Sequence, residues 1–526
     1  MSDIILAICS SLLLVLSFPA FDIEFLAWFS LVPLFLSLRG KPLTLSFGLS
    51  FLTGIVFFMG VFYWINTVKG FSFLDFLILG IYLGSYFGIF GLLLNFITKK
   101  TQLTNIITAP VLWVSLEYLR SNAGFMSLPW AILAHSQYLN LPIIQIASFA
   151  GVYGVSFLIV MVSAILSEFT FYLFMRNKSD NANVPFPCCT KIISLVGILL
   201  MCGSFLYGYR SLSQKEEAKF INVTVVQGNI PQHIKWEPDF MRQNLETHIM
   251  LSKEASAKSS TSLIVWPESS IPETFTKNIY LMQKIPFLAK ELKTFLLIGS
   301  GHRPKFGSRE FREKHFFNSA FLLSPDGGMV NRYDKIQLLP FAEYLPYKGI
   351  LPWPERFELI TDKLIPGKEE TIFHIGGESF GVLICWENIF PALFRRFVEK
   401  GAQFMVNITN EAWFGDTAAP YQFLSMSVFR AVENHVSIAR SANTGISCFI
   451  DPHGRITGMV RDGQGKSIFT KGYLTMPVSV GQTKTFYTRY GDVFVYLNIA
   501  VMILLIIFAF LRSKTKMPKS LGSKDA

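Results

Sequence analysis

FGVLICWENIFPALFRRFVEK, residues 380–400, changes its periodicity halfway along. The first six residues form an unbroken apolar run, as expected of a strand in a helix-covered sheet. From Asn388 onward the apolar residues fall on one side of an amphipathic helix. Cys385 stands at the junction. A strand–Cys–helix turn exposes the side chain beside N–H groups that the helix leaves unpaired, the geometry of an activated nucleophile. Taken alone, a cysteine in an apolar run is more often a small buried hydrophobe.

The residues on either side repeat the alternation. INVTVVQGNI (221–230), SLIVWPESS (262–270), TFLLIGSG (294–301), FNSAFLLSPDGG (317–328), AQFMVNITNEAWF (402–414) and ISCFIDPHGR (446–455) read as strands, and 237–258 and 421–437 as helices between them. Near-continuous apolar strands separated by helices predict one α/β domain over 219–485. In α/β folds chemistry collects at strand ends. Glu268 follows Trp266-Pro267, and Pro267 cannot donate to a ladder, so the strand ends there. Lys335 lies in VNRYDKIQLLPFAEYLP, just after a turn at PDGG. Singly, Glu268 reads better as a strand-end surface carboxylate and Lys335 as a solvated loop charge.

Outside this stretch the chain is a different material. Overall, 51% of its 526 residues are hydrophobic, only 16% are charged, and mean hydropathy is +0.41. Soluble domains carry about 25% charged residues, so disorder is excluded and a purely cytosolic enzyme disfavoured. Residues 219–492 hold 31 Lys+Arg and 26 Asp+Glu, leaving 16 and 10 for the rest. Membrane helices need about 20 apolar residues. Eight stretches approach that: 4–20, 23–38, 45–65, 73–97, 104–119, 145–174, 193–209 and 493–511. The first has no basic residue before it and a second follows at once, which argues against a cleaved leader. With the N-terminus in the cytoplasm, 12 basic residues fall on cytoplasmic loops and the tail (Arg39, Lys41, Lys99, Lys100, Arg176, Lys178, Lys191 and five in 512–526), against Lys69 and Arg120 in the opposite loops that join spans. The expected organisation is therefore a seven-helix membrane region (1–210), an extracytoplasmic domain (219–485), an eighth helix (493–511) and a basic cytoplasmic tail (512–526). The net charge of +11 does not imply nucleic acid, because no basic block carries interleaved aromatics. Six cysteines, none in a CxxC pair, give neither a disulfide framework nor a metal site.

The words WPES around Glu268, YDKIQLLPFAEYLP around Lys335 and GVLICWEN around Cys385 resemble the nitrilase, or carbon–nitrogen hydrolase, superfamily. QGNIPQHIKW (227–236), NEAWFGD (410–416) and the eight spans make essentially the whole chain similar to the apolipoprotein N-acyltransferase family within it. The resemblance implies an αββα sandwich on a membrane bundle in the bacterial inner membrane, with no cofactor. It implies a phospholipid acyl donor such as phosphatidylethanolamine, a diacylglyceryl apolipoprotein acceptor and a monomer. It also implies Glu268 as proton acceptor, Lys335 as oxyanion stabiliser and Cys385 as nucleophile, with Glu343, Trp236, Trp386 and Glu387 supporting them. Trp386 departs from the tyrosine common in relatives and is expected to retain aromatic packing on an acyl chain. Two other functions stay open: a membrane-anchored amidase or nitrilase, and a transporter with an extracytoplasmic binding domain. The latter would draw on the intramembrane acids Glu117 and Glu168. The segments 344–362 and 121–131 are apolar enough to border a site, the former as a lid, as a membrane-dipping arm or as an ordinary packed loop.

Overall fold

The computed structural model describes all residues except 20, 69, 179–186, 215–218, 236, 238–239, 351, 354–363, 482 and 516–526. Trp236, much of the 344–362 segment and most of the basic tail lie outside the described residues.

Among the described residues, thirteen strands form two sheets: β1 (Lys219–Gln227), β2 (Leu263–Val265), β3 (Ile271–Thr274), β4 (Phe295–His302), β5 (Phe317–Leu323), β6 (Met329–Asp334), β7 (Ile372–Ile375), β8 (Glu378–Ile384), β9 (Phe404–Thr409), β10 (Ser437–Ala442), β11 (Cys448–Ile450), β12 (Ile456–Met459) and β13 (Gly472–Val480). The first sheet runs β13-β1-β2-β4-β5-β6, with β3 also on β4; the second runs β12-β11-β10-β9-β8-β7. In the first, β2 is parallel to both β1 and β4; in the second, β9 is parallel to both β8 and β10. Their apolar strands are buried on both faces because helices cover the outside. Helices Met241–Lys258 and Ile279–Leu292 pack Leu245, Ile249, Leu281 and Ile285 onto the first sheet. Helices Pro391–Glu399 and Ala419–Asn434 cover the second, giving the αββα sandwich. Between the sheets, the Ser441 hydroxyl of β10 lies 2.9 Å from the Val226 carbonyl and 3.1 Å from that of Val265. It thereby ties the second sheet to two strands of the first.

Among the described residues, five helices of the membrane half are long and apolar enough to cross a bilayer: Leu43–Val61, Phe73–Thr101, Ala147–Arg176, Cys188–Ser213 and Val493–Ser513. The other expected spans are shorter. Residues 2–16 form a 15-residue helix. The 23–38 stretch breaks into a 3₁₀ turn and two short helices on either side of Leu31, with Pro33 opening the last of them. Asn105–Ser121 reaches 17 residues and contains Pro110. Helices 43–61 and 73–101 approach closely at small residues, as lipid-embedded helices do. A Cβ on Gly84 would sit 3.0 Å from the Ile55 nitrogen, and one on Gly54 would sit 2.9 Å from Gly84 Cα.

One amide joins the two halves. Gln422 Oε1 accepts from Trp64 Nε1 (3.1 Å) and Trp130 Nε1 (2.9 Å), while Nε2 donates to the carbonyls of Pro19 (3.1 Å) and Val61 (3.0 Å). Nearby, Glu433 accepts from Val152 N–H at 2.9 Å, just past the kink at Gly151 (φ 65°). Two charges inside the membrane half have structural partners of this kind. Arg120 donates to the carbonyls of Leu128 and Trp130, and Glu117 accepts from Leu133 N–H, pinning 128–133. Glu168 pairs with Arg39.

Candidate active site

Four strand ends converge between the sheets. Trp266 N–H donates to the Leu297 carbonyl at 2.8 Å, after which Pro267 stops the ladder and Ser269 turns at φ 47°. Glu268 is left 7% exposed at the end of β2. Gly299 of β4 makes room for this turn, since a Cβ there would lie 2.6 Å from the Pro267 carbonyl oxygen. The Glu268 carboxylate accepts from Asn318 Nδ2 and from Asn410 N–H, each at 2.8 Å. One oxygen is thus fixed by β5 and the other by the residue that follows β9.

Lys335 is the first residue beyond β6 and is 1% exposed. Its N–H donates to the Asn318 carbonyl at 2.8 Å, so Asn318 positions both Glu268 and Lys335. Its Nζ donates to Glu343 Oε1 at 2.7 Å, while Glu343 Oε2 accepts from Leu339 N–H at 2.7 Å. Burial pulls the ammonium down, and Glu343 opposes it. With the Cys385 and Glu268 charges added, Lys335 is held above the usual lysine range.

Cys385 follows β8 and opens the 3₁₀ turn Cys385–Ile389. Its φ is +58°, a left-handed conformation uncommon for a residue with a side chain. The β8–β9 register pairs Ile384 with Ile408, so Cys385 and Thr409 leave the sheet side by side. Burial pushes the thiol up to about 12, with Glu268 adding to the rise while Lys335 opposes it. The thiol therefore rests protonated next to the carboxylate. Trp386 N–H lies in the first turn of the 3₁₀ helix, where backbone donors have no helical acceptor. The Trp386 ring turns into the domain. It is 4% exposed, donates from Nε1 to the Gln337 carbonyl at 2.6 Å and meets Phe390 edge-on. That hydrogen bond is why it packs on protein rather than standing open to a chain.

Glu387 is fully buried and acts as a clasp. Its carboxylate accepts from Tyr333 OH (2.8 Å), Ile336 N–H (2.7 Å), Gln337 N–H (2.9 Å) and Ile384 N–H (2.8 Å). It therefore locks the strand carrying Cys385 to the segment carrying Lys335. Burial pushes it up to about 7 in spite of these donors.

Besides Asn318, sequence reasoning missed three neighbours. Lys235, 2% exposed, donates from Nζ to the Glu268 carbonyl at 3.0 Å. Burial lowers it to about 8, against the pull of Glu268 and Cys385. A lysine inside the QHIKW word was the available signal. Asn407 donates to the carbonyls of Leu383 (3.1 Å) and Cys385 (3.4 Å), and is itself held by Arg440 at 2.8 Å. Asn410 adds its side chain, which donates to Gln232. Asn410 opens the NEAWFGD word, whereas Asn407 had no sequence signal beyond being a polar residue in an apolar strand.

The site's rim reaches the membrane half. Phe125 meets Tyr347 at 5.4 Å and Phe341 at 6.5 Å, two residues of the loop that follows Lys335. Tyr347, Ile350 and Met126 are exposed on this rim. Among the described residues no cluster of three or more His, Cys, Asp or Glu could hold a metal ion.

Two family models match the chain: the apolipoprotein N-acyltransferase N-terminal domain over 10–165 and carbon-nitrogen hydrolase over 222–472. A Geobacter metallireducens protein named apolipoprotein N-acyltransferase is 38% identical over 519 residues, covering 97% of this chain and 96% of that one. A Pasteurella multocida protein of the same name is 28% identical, covering 98% and 97%. With both halves matched and end-to-end similarity at this level, the chain belongs to the apolipoprotein N-acyltransferase family.

Proposed function

We propose that this chain moves a fatty acyl group from a membrane phospholipid, through a thioester on Cys385, to the α-amino group of the N-terminal S-diacylglyceryl-cysteine of lipoproteins. Glu268 takes the thiol proton as sulfur attacks the donor ester. Negative charge develops on the carbonyl oxygen, facing the Lys335 ammonium and the Trp386 N–H. Collapse expels the lysophospholipid alkoxide, which recovers the proton from Glu268. In the second half-reaction the acceptor amine attacks the thioester, Glu268 takes a proton from nitrogen, and the thiolate leaves and is reprotonated. Glu343 holds Lys335 in place. Glu387 sets the distance between cation and nucleophile.

The observation that carries this reading is Cys385 at a left-handed strand-to-helix turn, coupled to Glu268 and Lys335, in a domain whose rim continues into apolar membrane helices. The same reading divides the chain into a membrane region (1–210), a catalytic domain (219–485), a last span (493–511) and a tail (512–526). The protein is a monomer in the bacterial inner membrane, with its catalytic domain periplasmic and both termini cytoplasmic. Phosphatidylethanolamine is the donor. Support for the orientation comes from Arg39, Lys41, Lys99 and Lys100, which all sit at the end of the helices away from the catalytic domain.

Incubation with phosphatidylethanolamine alone is expected to leave a hydroxylamine-sensitive acyl group on the Cys385 peptide, seen by mass spectrometry. A diacylglyceryl peptide with a free amine then discharges it as acylated amine. Product without any adduct would mean direct transfer, and free fatty acid in place of acylated amine would mean a hydrolase.

A further inference from the structure

The membrane half has a second polar site, at the opposite end from the chemistry. Helix 73–101 starts beside the catalytic domain and runs to Thr101, and helix 105–121 returns from there. Where they turn, together with the end of helix 32–38, lies a cavity of about 420 Å³. Its polar lining includes Arg39, Lys99 and Asn95. Glu168 lines it too and offsets one of the two cations by pairing with Arg39, so one positive charge remains in excess.

Two buried atoms there have no partner among the described residues: Arg39 Nε, a donor, and Asn95 Oδ1, an acceptor. Asn95 is 5% exposed, and its Nδ2 is already committed to the Lys41 carbonyl at 3.0 Å and to Ser46. Its orientation is therefore fixed, leaving Oδ1 to receive a donor from elsewhere. Buried polar atoms without partners cost free energy, and such pairs of orphans mark a place for a ligand. The wall also carries the polar Thr98, Gln102, Thr104 and Asn105, and its apolar part includes Phe35, Leu103 and Phe171, with Phe171 4.1 Å from the Arg39 guanidinium.

We propose that this cavity binds the phosphate-bearing headgroup of a membrane phospholipid, as a site separate from the acyl donor's. The phosphate accepts from Arg39 Nε and Lys99 Nζ. A headgroup hydroxyl or ammonium donates to Asn95 Oδ1, and the upper chain carbons lie on Phe35, Leu103 and Phe171. A soluble anion would satisfy the cations but would leave three apolar walls without a partner. Bound there, the lipid would hold the 39–42 and 102–104 connections together. The inference rests on the chain's membrane placement and is independent of the acyl-transfer reading.

The test uses full-length protein in nanodiscs of phosphatidylethanolamine and phosphatidylglycerol, with a trace of phosphatidylethanolamine carrying a diazirine high on one acyl chain. After irradiation, adducts are mapped by mass spectrometry. Adducts are expected on the peptides containing Leu103 and Phe171. In the Arg39→Gln, Lys99→Gln double variant they should fall at least about tenfold, as the loss of charge-assisted bonds worth about 1.5–3 kcal/mol predicts. Adducts near Tyr347, at the catalytic rim, should be unchanged in that variant and so report an intact fold. If the double variant loses both sets, Asn95→Leu alone replaces it and is expected to weaken only the Leu103 and Phe171 adducts. No labelling of those peptides, equal labelling in the variants, or labelling erased by excess inorganic phosphate would overturn the proposal, the last by showing that a soluble anion takes the site.

Discussion

Cys385 and Cys448 belong to the same sheet, and burial pushes both thiols up to about 12. Titration therefore does not tell the two apart. Their surroundings do. Cys448 begins β11, fully buried and paired in register with Arg440 and Met459. Cys385 lies one residue beyond its strand, half-buried, at φ +58°, within the field of a carboxylate and an ammonium. In this fold a nucleophile is marked by where the backbone puts it and by the base beside it. A lowered resting pKa is not the mark. Such a thiol is idle until substrate arrives and Glu268 takes its proton, which protects it from adventitious oxidation.

The sharpest way to break the comparison is Cys385→Ala. Transfer from radiolabelled phospholipid should fall by about 10⁴–10⁶, as nucleophile deletions do elsewhere. The variant should still purify folded, because one half-buried sulfur at a strand end is all that is lost. Retained activity would mean that the comparison chose the wrong thiol.

Next in size is Lys335→Ala, with an expected loss of about 10²–10³ in kcat, the usual cost of one oxyanion donor. Glu343→Gln should fall between this variant and wild type. It keeps the shape around Nζ but removes the charge that holds the ammonium up. If Glu343→Gln were as damaging as Lys335→Ala, Glu343 would have a task beyond positioning.

A subtler test uses pH. Because burial and Glu268 raise the Cys385 thiol to about 12, the thiolate fraction at rest grows tenfold per pH unit through the neutral range. Iodoacetamide labelling of Cys385 should climb with pH and show no plateau below about pH 10. A plateau near neutrality would mean a resting thiolate–ammonium pair and would remove the need for Glu268 as base. Cys448 should stay unlabelled throughout, since it has no solvent access.

Which parts of this site were legible in sequence follows from how local each one is. The Cys385 turn could be read because an apolar run, one polar residue and an amphipathic helix are adjacent in the chain. Glu268 could be read because Pro267 ends its strand. Asn318, Asn410 and Lys235 could not, since each acts on Glu268 across 33 to 142 residues and only the folded sheets bring them together. The Gln422 joint was hidden for the same reason, with partners 292 to 403 residues away. In the membrane half, hydropathy located apolar segments but not their breaks. Residues 23–38 are apolar enough to span, yet Leu31 and Pro33 divide them into short helices. The sequence resemblance supplied Lys335, which no local pattern singles out from other loop lysines.

The smallest expected effect is that of Cys448→Ala, and it bears most directly on the comparison. The substitution removes one sulfur from a closed core position, a loss of about 1 kcal/mol with a fall of a few degrees in Tm. Arg440 is its charged neighbour, and Arg440 also holds Asn407, which donates to the Cys385 carbonyl. By this path Cys448 could reach the nucleophile. If Arg440 keeps its place, kcat and KM stay at wild-type values while Tm drops. If kcat falls with Tm, Arg440 has shifted, and Cys448 supports the nucleophile through Arg440 and Asn407. Arg440→Lys separates these outcomes, because it keeps a charge near Cys448 but lacks the fork that reaches both Asn407 and the Ile446 carbonyl. A kcat loss in Arg440→Lys with none in Cys448→Ala would confine the support to Asn407 and leave Cys448 as packing.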